Sequence, residues 1–331
     1  MPRRAFVVFH PYPNTGSEVA TVDAAGGAPL SLSGGPGSKT VGPIVGTRPS
    51  WSADGSELAF IGVARGASGA IYVVDADGTH LHVVRASRRI LFEGDPVLAP
   101  DGHSVAVMRL DVVSGHLERP GPGAVRSEPD GKVDVRTAIW SLDVKGRGMH
   151  PLTRWRRDRV LFPSSYSPDG SALAATQVNL RSGDKIQAVS VGLHGGPVAV
   201  LAGNAHDPAY APDGKVVAVR DHIMTGKGPL EEERVVGSDL LVGSPGSALA
   251  RVLSVRGALD WPSWDPSGQR IAFTRLNGLA GPLPGPAKGN YVGEVNADGT
   301  CQTTVLSSKR GFFSGTAWQP GLDRGAGRLA C

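Results

Sequence analysis

Apolar and polar positions along this chain follow a pattern that returns about every fifty residues, the spacing of a repeat architecture. Its clearest part is a short polar box that leads into an almost wholly apolar run. Pro49-Ser-Trp-Ser-Ala-Asp-Gly55 precedes Ser-Glu-Leu-Ala-Phe60, and Pro96-Val-Leu-Ala-Pro-Asp-Gly102 precedes His-Ser-Val-Ala-Val107. Pro163-Ser-Ser-Tyr-Ser-Pro-Asp-Gly170 precedes Ser-Ala-Leu-Ala-Ala175, and Pro208-Ala-Tyr-Ala-Pro-Asp-Gly214 precedes Lys-Val-Val-Ala-Val219. Pro262-Ser-Trp-Asp-Pro-Ser-Gly268 precedes Gln-Arg-Ile-Ala-Phe273, and a shorter copy, Thr316-Ala-Trp-Gln-Pro-Gly321, closes the chain.

Each part of the box has a physical use. The leading proline suits the start of a strand, where no ladder donor is lost. Pro-Asp-Gly presets a tight turn, with proline fixing φ and glycine accepting φ > 0. The run after it is apolar on both faces, which predicts a strand covered on both sides. Alanine recurs at one place in that run, at Ala59, Ala106, Ala174, Ala218 and Ala272, where closely stacked sheets would require a small side chain.

Two further apolar segments follow each box, joined by short turns such as Asp75-Ala-Asp-Gly78 and Asn296-Ala-Asp-Gly299. Each unit therefore reads as a four-stranded antiparallel meander, and such units repeated around an axis form a β-propeller. The N-terminal strands, in 5–34, lack a box, and the last box, in 312–321, lacks followers. Pairing the two chain ends completes one blade and leaves no open sheet edge. The expectation is an all-β, six-bladed propeller in a single domain. Blade 1 takes 5–34 plus 312–321, blade 2 46–86, blade 3 93–154, blade 4 160–203, blade 5 206–256 and blade 6 259–308, with 322–331 as a tail.

Composition supports this reading. The 331 residues include 46 Gly and 26 Pro, spacing that leaves no room for a long amphipathic helix. Hydrophobic content of 40% is enough for a sizeable core. No apolar run is long enough to cross a membrane as a helix. Between Met1 and His10 only Ala5–Phe9 is apolar, too short for the core of a signal peptide. The chain is expected in the cytoplasm unless a signal has been removed from it, in which case it works outside, secreted or in the cell envelope. Cys301 and Cys331 are the only cysteines. A disulfide tying the tail to the last blade is the reading carried forward, against two unrelated thiols, and it implies an oxidising compartment.

These boxes resemble the TolB-like, or PD40 (WD40-like), propeller repeat, whose hallmark is an aromatic-Ser-Pro-Asp-Gly stretch followed by an apolar strand. The resemblance covers nearly the whole chain. It implies a six-bladed propeller and, for function, a wide choice: periplasmic TolB, the propeller halves of prolyl-oligopeptidase-like peptidases, tricorn-like assemblies and an oligogalacturonate lyase. TolB proper carries an extra N-terminal α/β domain, and none fits here. The peptidases carry an α/β-hydrolase domain, and no Gly-x-Ser-x-Gly elbow occurs. Function has to be argued from the site.

The two ends of a meander propeller differ. Here the 1-to-2 and 3-to-4 turns are short and look structural. The long connections, Leu110–Thr137, Asn179–Lys185, Asp221–Ser238 and Leu276–Asn290, all fall on the other face, where a site is expected around the channel mouth. Arginines gather in connections of that face: Arg85, Arg88 and Arg89 in one, Arg154, Arg156, Arg157 and Arg159 in the next, with Trp155 among them. Arg88, Arg89, Arg154, Trp155, Arg156 and Arg157 are the candidate ligand-binding residues, suited to carboxylate, phosphate or sulfate groups; a solvated basic rim is the plain alternative. The net charge of only +4 argues against nucleic acid.

For chemistry the candidates are His206 and Asp207, entering an inner strand, and Asp221 and His222, leaving the next strand of the same blade. Converging there, they could act as acid and base, and His206 and His222 could hold a divalent metal; ordinary loop histidines are the plain reading. No other cofactor is implied. Two functions follow. The first is a non-catalytic binding module, a monomer, that takes a protein or anionic-glycan partner on the long-loop face. The second is a polymer-directed lyase or hydrolase with its His/Asp site at the channel mouth.

Overall fold

The computed structural model describes residues 3–10, 16–23, 28–33, 42–43, 48–63, 70–84, 91–114, 117–118, 126–127, 134–180, 185–225, 233–276, 290–308, 312–320 and 328–331. Every regular element among them is a strand. Blades 1, 3, 4, 5 and 6 are four-stranded antiparallel sheets. Blade 2 has a fifth strand, because Gly42–Pro43 and Ser50–Trp51 both pair with Glu57–Val63. A small separate ribbon joins Leu117–Glu118 to Arg126–Ser127.

The chain ends close the ring as the box pattern predicts. Phe312–Trp318 pairs with Arg3–His10, which continues through Gly16–Asp23 to Leu30–Ser31. The first strand of each blade contributes to the wall of one axial cavity. The core lies between the blades. Val19, Leu32, Trp51, Leu58 and Phe60 pack blade 1 on blade 2, and Ala20, Val22, Val292 and Phe313 pack blade 6 on blade 1. The five recurring alanines are all fully buried, and Ala59, Ala106 and Ala218 sit in the clusters between later blades, where a larger side chain would push the sheets apart.

Two connections expected as loops begin as strands. Ser104–Ser114 pairs with Asp134–Asp143, and Val216–Thr225 with Glu233–Gly243, so two hairpins run beyond the blade body. Cross-strand hydrogen bonding carries the ladder past the last core side chain. The apolar pattern stops where burial stops and cannot show this.

The box turns share one construction. In blade 2, Ser52 N–H donates to Glu57 O at 2.8 Å and Gly55 N–H to Ser52 O at 2.9 Å, and the same pair recurs around Ser167 and Gly170. The turn aspartate locks this geometry through its carboxylate. Ser52 Oγ and Ser56 N donate to Asp54, and Ser167 Oγ and Ser171 N donate to Asp169. The side-chain hydrogen bonds from Ser52 and Ser167, then the backbone N–H groups, pull both carboxyls down to about 2 from the ordinary 3.8. A depressed folded-state pKa gives stability that is present above the unfolded value and lost as pH falls through the folded one. Thermal stability should therefore drop between pH 4 and pH 2, and Asp54→Asn with Asp169→Asn should flatten that dependence. An unchanged acid profile in the double variant would count against this role.

Candidate functional site

The axial channel has two unlike ends. At the short-turn end is a cavity of about 410 Å³ lined by box residues of every blade, among them Trp51, Tyr166, Tyr210, Trp264 and Trp318. Several of these aromatics are wedges between blades. Trp51 Nε1 donates to Ala317 O at 3.2 Å, Trp264 Nε1 to Ala209 O at 3.0 Å and Tyr210 OH to Ser190 Oγ at 2.7 Å. Arg48 also lines this cavity. Its guanidinium donates to Ser164 O of blade 4 at 3.0 Å and to Pro262 O of blade 6 at 3.1 Å, so a residue from blade 2 forms a crossbar through the ring.

Beyond Arg48, toward the long-loop end, polar side chains converge. The innermost strands of blades 5 and 6, His206–Tyr210 and Ala258–Trp264, each carry a bulge against their neighbour. At the bulges Asp207 has φ 49° and Trp261 φ 50°. Left-handed backbone is uncommon for residues other than glycine, and a bulge re-aims side chains that a regular strand would send elsewhere. Here it brings His206, Asp207 and Asp260 together, with one donor atom of each within 4.8 Å of the others.

Hydrogen bonds hold the group in place. Asp207 N–H donates to Thr176 Oγ1 at 2.8 Å, and Trp261 N–H donates to Asp207 Oδ2 at 3.2 Å. His206 sits between two carboxyls, with Nδ1 3.4 Å from Asp207 Oδ2 and Nε2 3.2 Å from Asp221 Oδ2. Asp221 is fixed in turn by Ser238 Oγ, which donates to its Oδ1 at 2.5 Å. All three of these titratable side chains are only about a fifth exposed, at 18%, 20% and 21%.

The electrostatics set the protonation states apart. Burial works against charge on His206, but its hydrogen bonds to Asp207 and Asp221 outweigh this and raise its pKa well above 6.5. Burial works against charge on Asp207 too, and the contact with His206, then the charge of Arg48, lowers its pKa below 3.8. Asp260 has no such support. Burial and the neighbouring Asp207 push it well above 3.8. The environment thus favours the charged imidazole and the ionised Asp207 while it disfavours charge on Asp260, so two neighbouring carboxyls are pushed in opposite directions. The donor set that could hold a metal is His206, Asp207 and Asp260.

The sequence-derived candidates divide. His206, Asp207 and Asp221 do come together. His222 does not join them, because adjacent residues of a strand point to opposite faces. It lies 3.1 Å from Asp239 and is half exposed. Asp260 and Arg48 were missed. Both sit just ahead of a box proline, as do His206 and Asp207, so aligning the residues before each box would have found them.

Arg88 and Arg89, with Arg85, lie outside the described residues. Arg154–Arg157 lie in the connection from blade 3 to blade 4. They extend the outermost strand of blade 3, His150–Pro151, and Arg156 is bridged to Thr137 by backbone hydrogen bonds of 2.8 Å. The segment leads from this outermost strand to Arg159–Tyr166, the innermost strand of blade 4. Trp155 is packed there against Trp140, with ring centroids 5.8 Å apart. The guanidinium carbons of Arg109 and Arg136 lie 5.3 and 4.6 Å from the Trp155 ring. Arg136 pairs with Asp111 at 2.6 Å and Arg157 with Asp134 at 2.9 Å. Arg154 and Arg156 are exposed. The Arg159 hydrogen bond, then the charges of Arg159 and Arg156, lower the pKa of Asp158, and among the described residues neither Arg154 nor Arg156 is within 4.0 Å of a carboxylate.

No family profile and no curated protein matches the chain. Solved structures do. TolB from Acinetobacter baumannii superposes with a TM-score of 0.65 at 17% identity, over 96% of this chain and 67% of that one. An Agrobacterium tumefaciens protein described as TolB gives 0.58 at 16% identity, over 97% and 99%. An oligogalacturonate lyase in complex with manganese gives 0.50 at 13%, over 87% and 72%. At these identities the likeness is one of fold, and the fold is the TolB-like propeller.

Proposed function

We propose that the chain is a binding propeller that captures an anionic partner, a protein segment or an acidic glycan, along the outer long-loop side of blade 3. One observation carries this reading. Arg154 and Arg156 are exposed and, among the described residues, in no ion pair within 4.0 Å, although the charge of Arg156 acts on Asp158; they flank a Trp155 that is braced by Arg109, Arg136 and Trp140. The stacked Arg109 and Arg136 guanidiniums hold the Trp155 indole in place, so this aromatic surface is ordered before an anion docks on the arginines beside it. The Cys301–Cys331 disulfide favours work outside the cytoplasm.

A second reading, a polymer-directed lyase or hydrolase, draws on Asp260, whose pKa burial raises, standing beside Asp207, whose pKa the His206 contact lowers. One experiment separates the two. Purified protein is passed over immobilised polygalacturonate, heparin and poly-glutamate, and each polymer is sized afterwards. Binding predicts salt-dependent retention that Arg154→Glu with Arg156→Glu weakens at least tenfold, while His206→Ala binds as before. Equal retention by the charge-reversed variant would overturn it. Shortening of a polymer by the unaltered protein, abolished in His206→Ala, would establish the second reading instead.

A further inference from the structure

We propose that the long-loop end of the channel is a divalent-cation site, with His206 Nδ1 and one carboxylate oxygen each of Asp207 and Asp260 as its protein donors and Asp221 as the residue that positions the imidazole.

Three features of the geometry support it. The three donor atoms lie within 4.8 Å of one another. Donors bound to one tetrahedral ion at about 2.1 Å lie about 3.4 Å apart. His206 Nδ1 and Asp207 Oδ2 already stand 3.4 Å apart, and Asp260 has to close on them by at most about 1.4 Å from the 4.8 Å limit. Secondly, the imidazole has the outer partner that metal-bound histidines use. When one ring nitrogen takes the ion, the other donates to a carboxylate that fixes the ring. Nε2 faces Asp221 Oδ2 at 3.2 Å, and Ser238 Oγ locks that carboxylate at 2.5 Å. Thirdly, the partly buried Asp260 carboxyl stands beside His206 and Asp207 and, among the described residues, takes no hydrogen bond, so it is free to turn onto an ion.

The donor set restricts the ion. One imidazole and two carboxylates suit Mn²⁺, Fe²⁺ or Zn²⁺. Ca²⁺ needs six to eight oxygen ligands, and Mg²⁺ is held mainly through carboxylates and retained waters. Three protein donors also leave coordination positions open for an outside ligand. Arg48, whose charge reaches Asp207, is the cation that opposes the ion, and it is anchored separately on Ser164 O and Pro262 O.

The test is isothermal titration calorimetry of chelator-treated full-length protein with MnCl2 and with ZnCl2. One ion per chain is expected for at least one of the two metals. Asp260→Asn should lower its affinity at least a hundredfold and Asp207→Asn likewise. Asp221→Asn should lower it about 10–100-fold, the range for outer-shell partners. His222→Ala, which lies outside the group, should bind as before. Thermal melts of the metal-free variants show which are folded. Should Asp207→Asn fail to fold, Asp260→Asn still decides, since its side chain bonds to nothing that folding requires. No saturable uptake of either metal by the unaltered protein, or equal affinity in Asp260→Asn, overturns the site.

Discussion

Replacing both Cys301 and Cys331 by serine lowers the unfolding free energy by about 3–4 kcal/mol. The two residues form a disulfide across a sequence separation of 30. A cross-link of that span removes chain entropy from the unfolded state, and the loop-length relation gives about 3.6 kcal/mol at 25 °C. Most disulfides of a tail would stabilise only the tail. This one encloses Phe312–Trp318, the strand that pairs with Arg3–His10 and closes the ring. The tail is docked as well as tied: Leu329 N–H donates to Asn296 Oδ1 at 2.7 Å, Asn296 Nδ2 to Leu329 O at 3.2 Å, and Arg328 pairs with Asp298. Losing the cross-link therefore weakens the closure on which all six blades depend. Urea unfolding of the double variant, and of the unaltered protein with and without reductant, measures the effect. A loss below about 1 kcal/mol would show that the docked tail and the strand pairing suffice alone.

Gly55→Ala destabilises the propeller by about 3 kcal/mol or more, whereas Gly102→Ala, at the same place in the next box, costs only about 1–2 kcal/mol. Both glycines have left-handed backbone, with φ 72° and φ 69°, so both substitutions carry the strain of placing a Cβ there. Around Gly102 nothing lies within 4 Å of the added carbon. At Gly55 the carbon would stand 2.3 Å from Pro320 O and 2.9 Å from the Gln319 side chain. That backbone is the end of the closing strand, and Gln319 Nε2 donates to Gly55 O at 2.6 Å. Relief of the clash must move the closing strand away from blade 2 and break this buried contact. Comparing the two single variants by thermal and urea unfolding isolates the close approach from the φ penalty they share. Equal losses would sink the argument.

These two cases mark where the sequence was legible. The box predicts the turn at Gly55 and at Gly102 alike, because proline, aspartate and glycine act locally through φ and short hydrogen bonds. It says nothing of Pro320 lying against Gly55, a contact that joins residues at opposite ends of the chain. The functional candidates show the same division. Asp207 and Asp221 drew notice beside histidines, while Asp260, without a chemical neighbour in the chain, did not. His222 drew notice by adjacency and then faced Asp239, since a strand separates neighbours that the sequence sets side by side. Arg154–Arg157 follow the outermost strand of their blade, as the order of strands in the repeat predicts, but the packing of Trp155 against Trp140 was not legible.

The sequence by itself determined the repeat, the meander and the closure of the ring by the two chain ends. Each rests on period, turn chemistry and apolar patterning, which are properties of residues close together in the chain. The tertiary structure alone decided what reaches the axis. Bulges at Asp207 and Trp261 turn the residues before the box prolines inward, and strands from blades 5 and 6 bring His206, Asp207 and Asp260 together. Arg48 from blade 2 crosses to blades 4 and 6 between that group and the aromatic cavity. Which side chains share the channel depends on the angle between blades and on the local twist of each bulge, and neither leaves a period in the sequence.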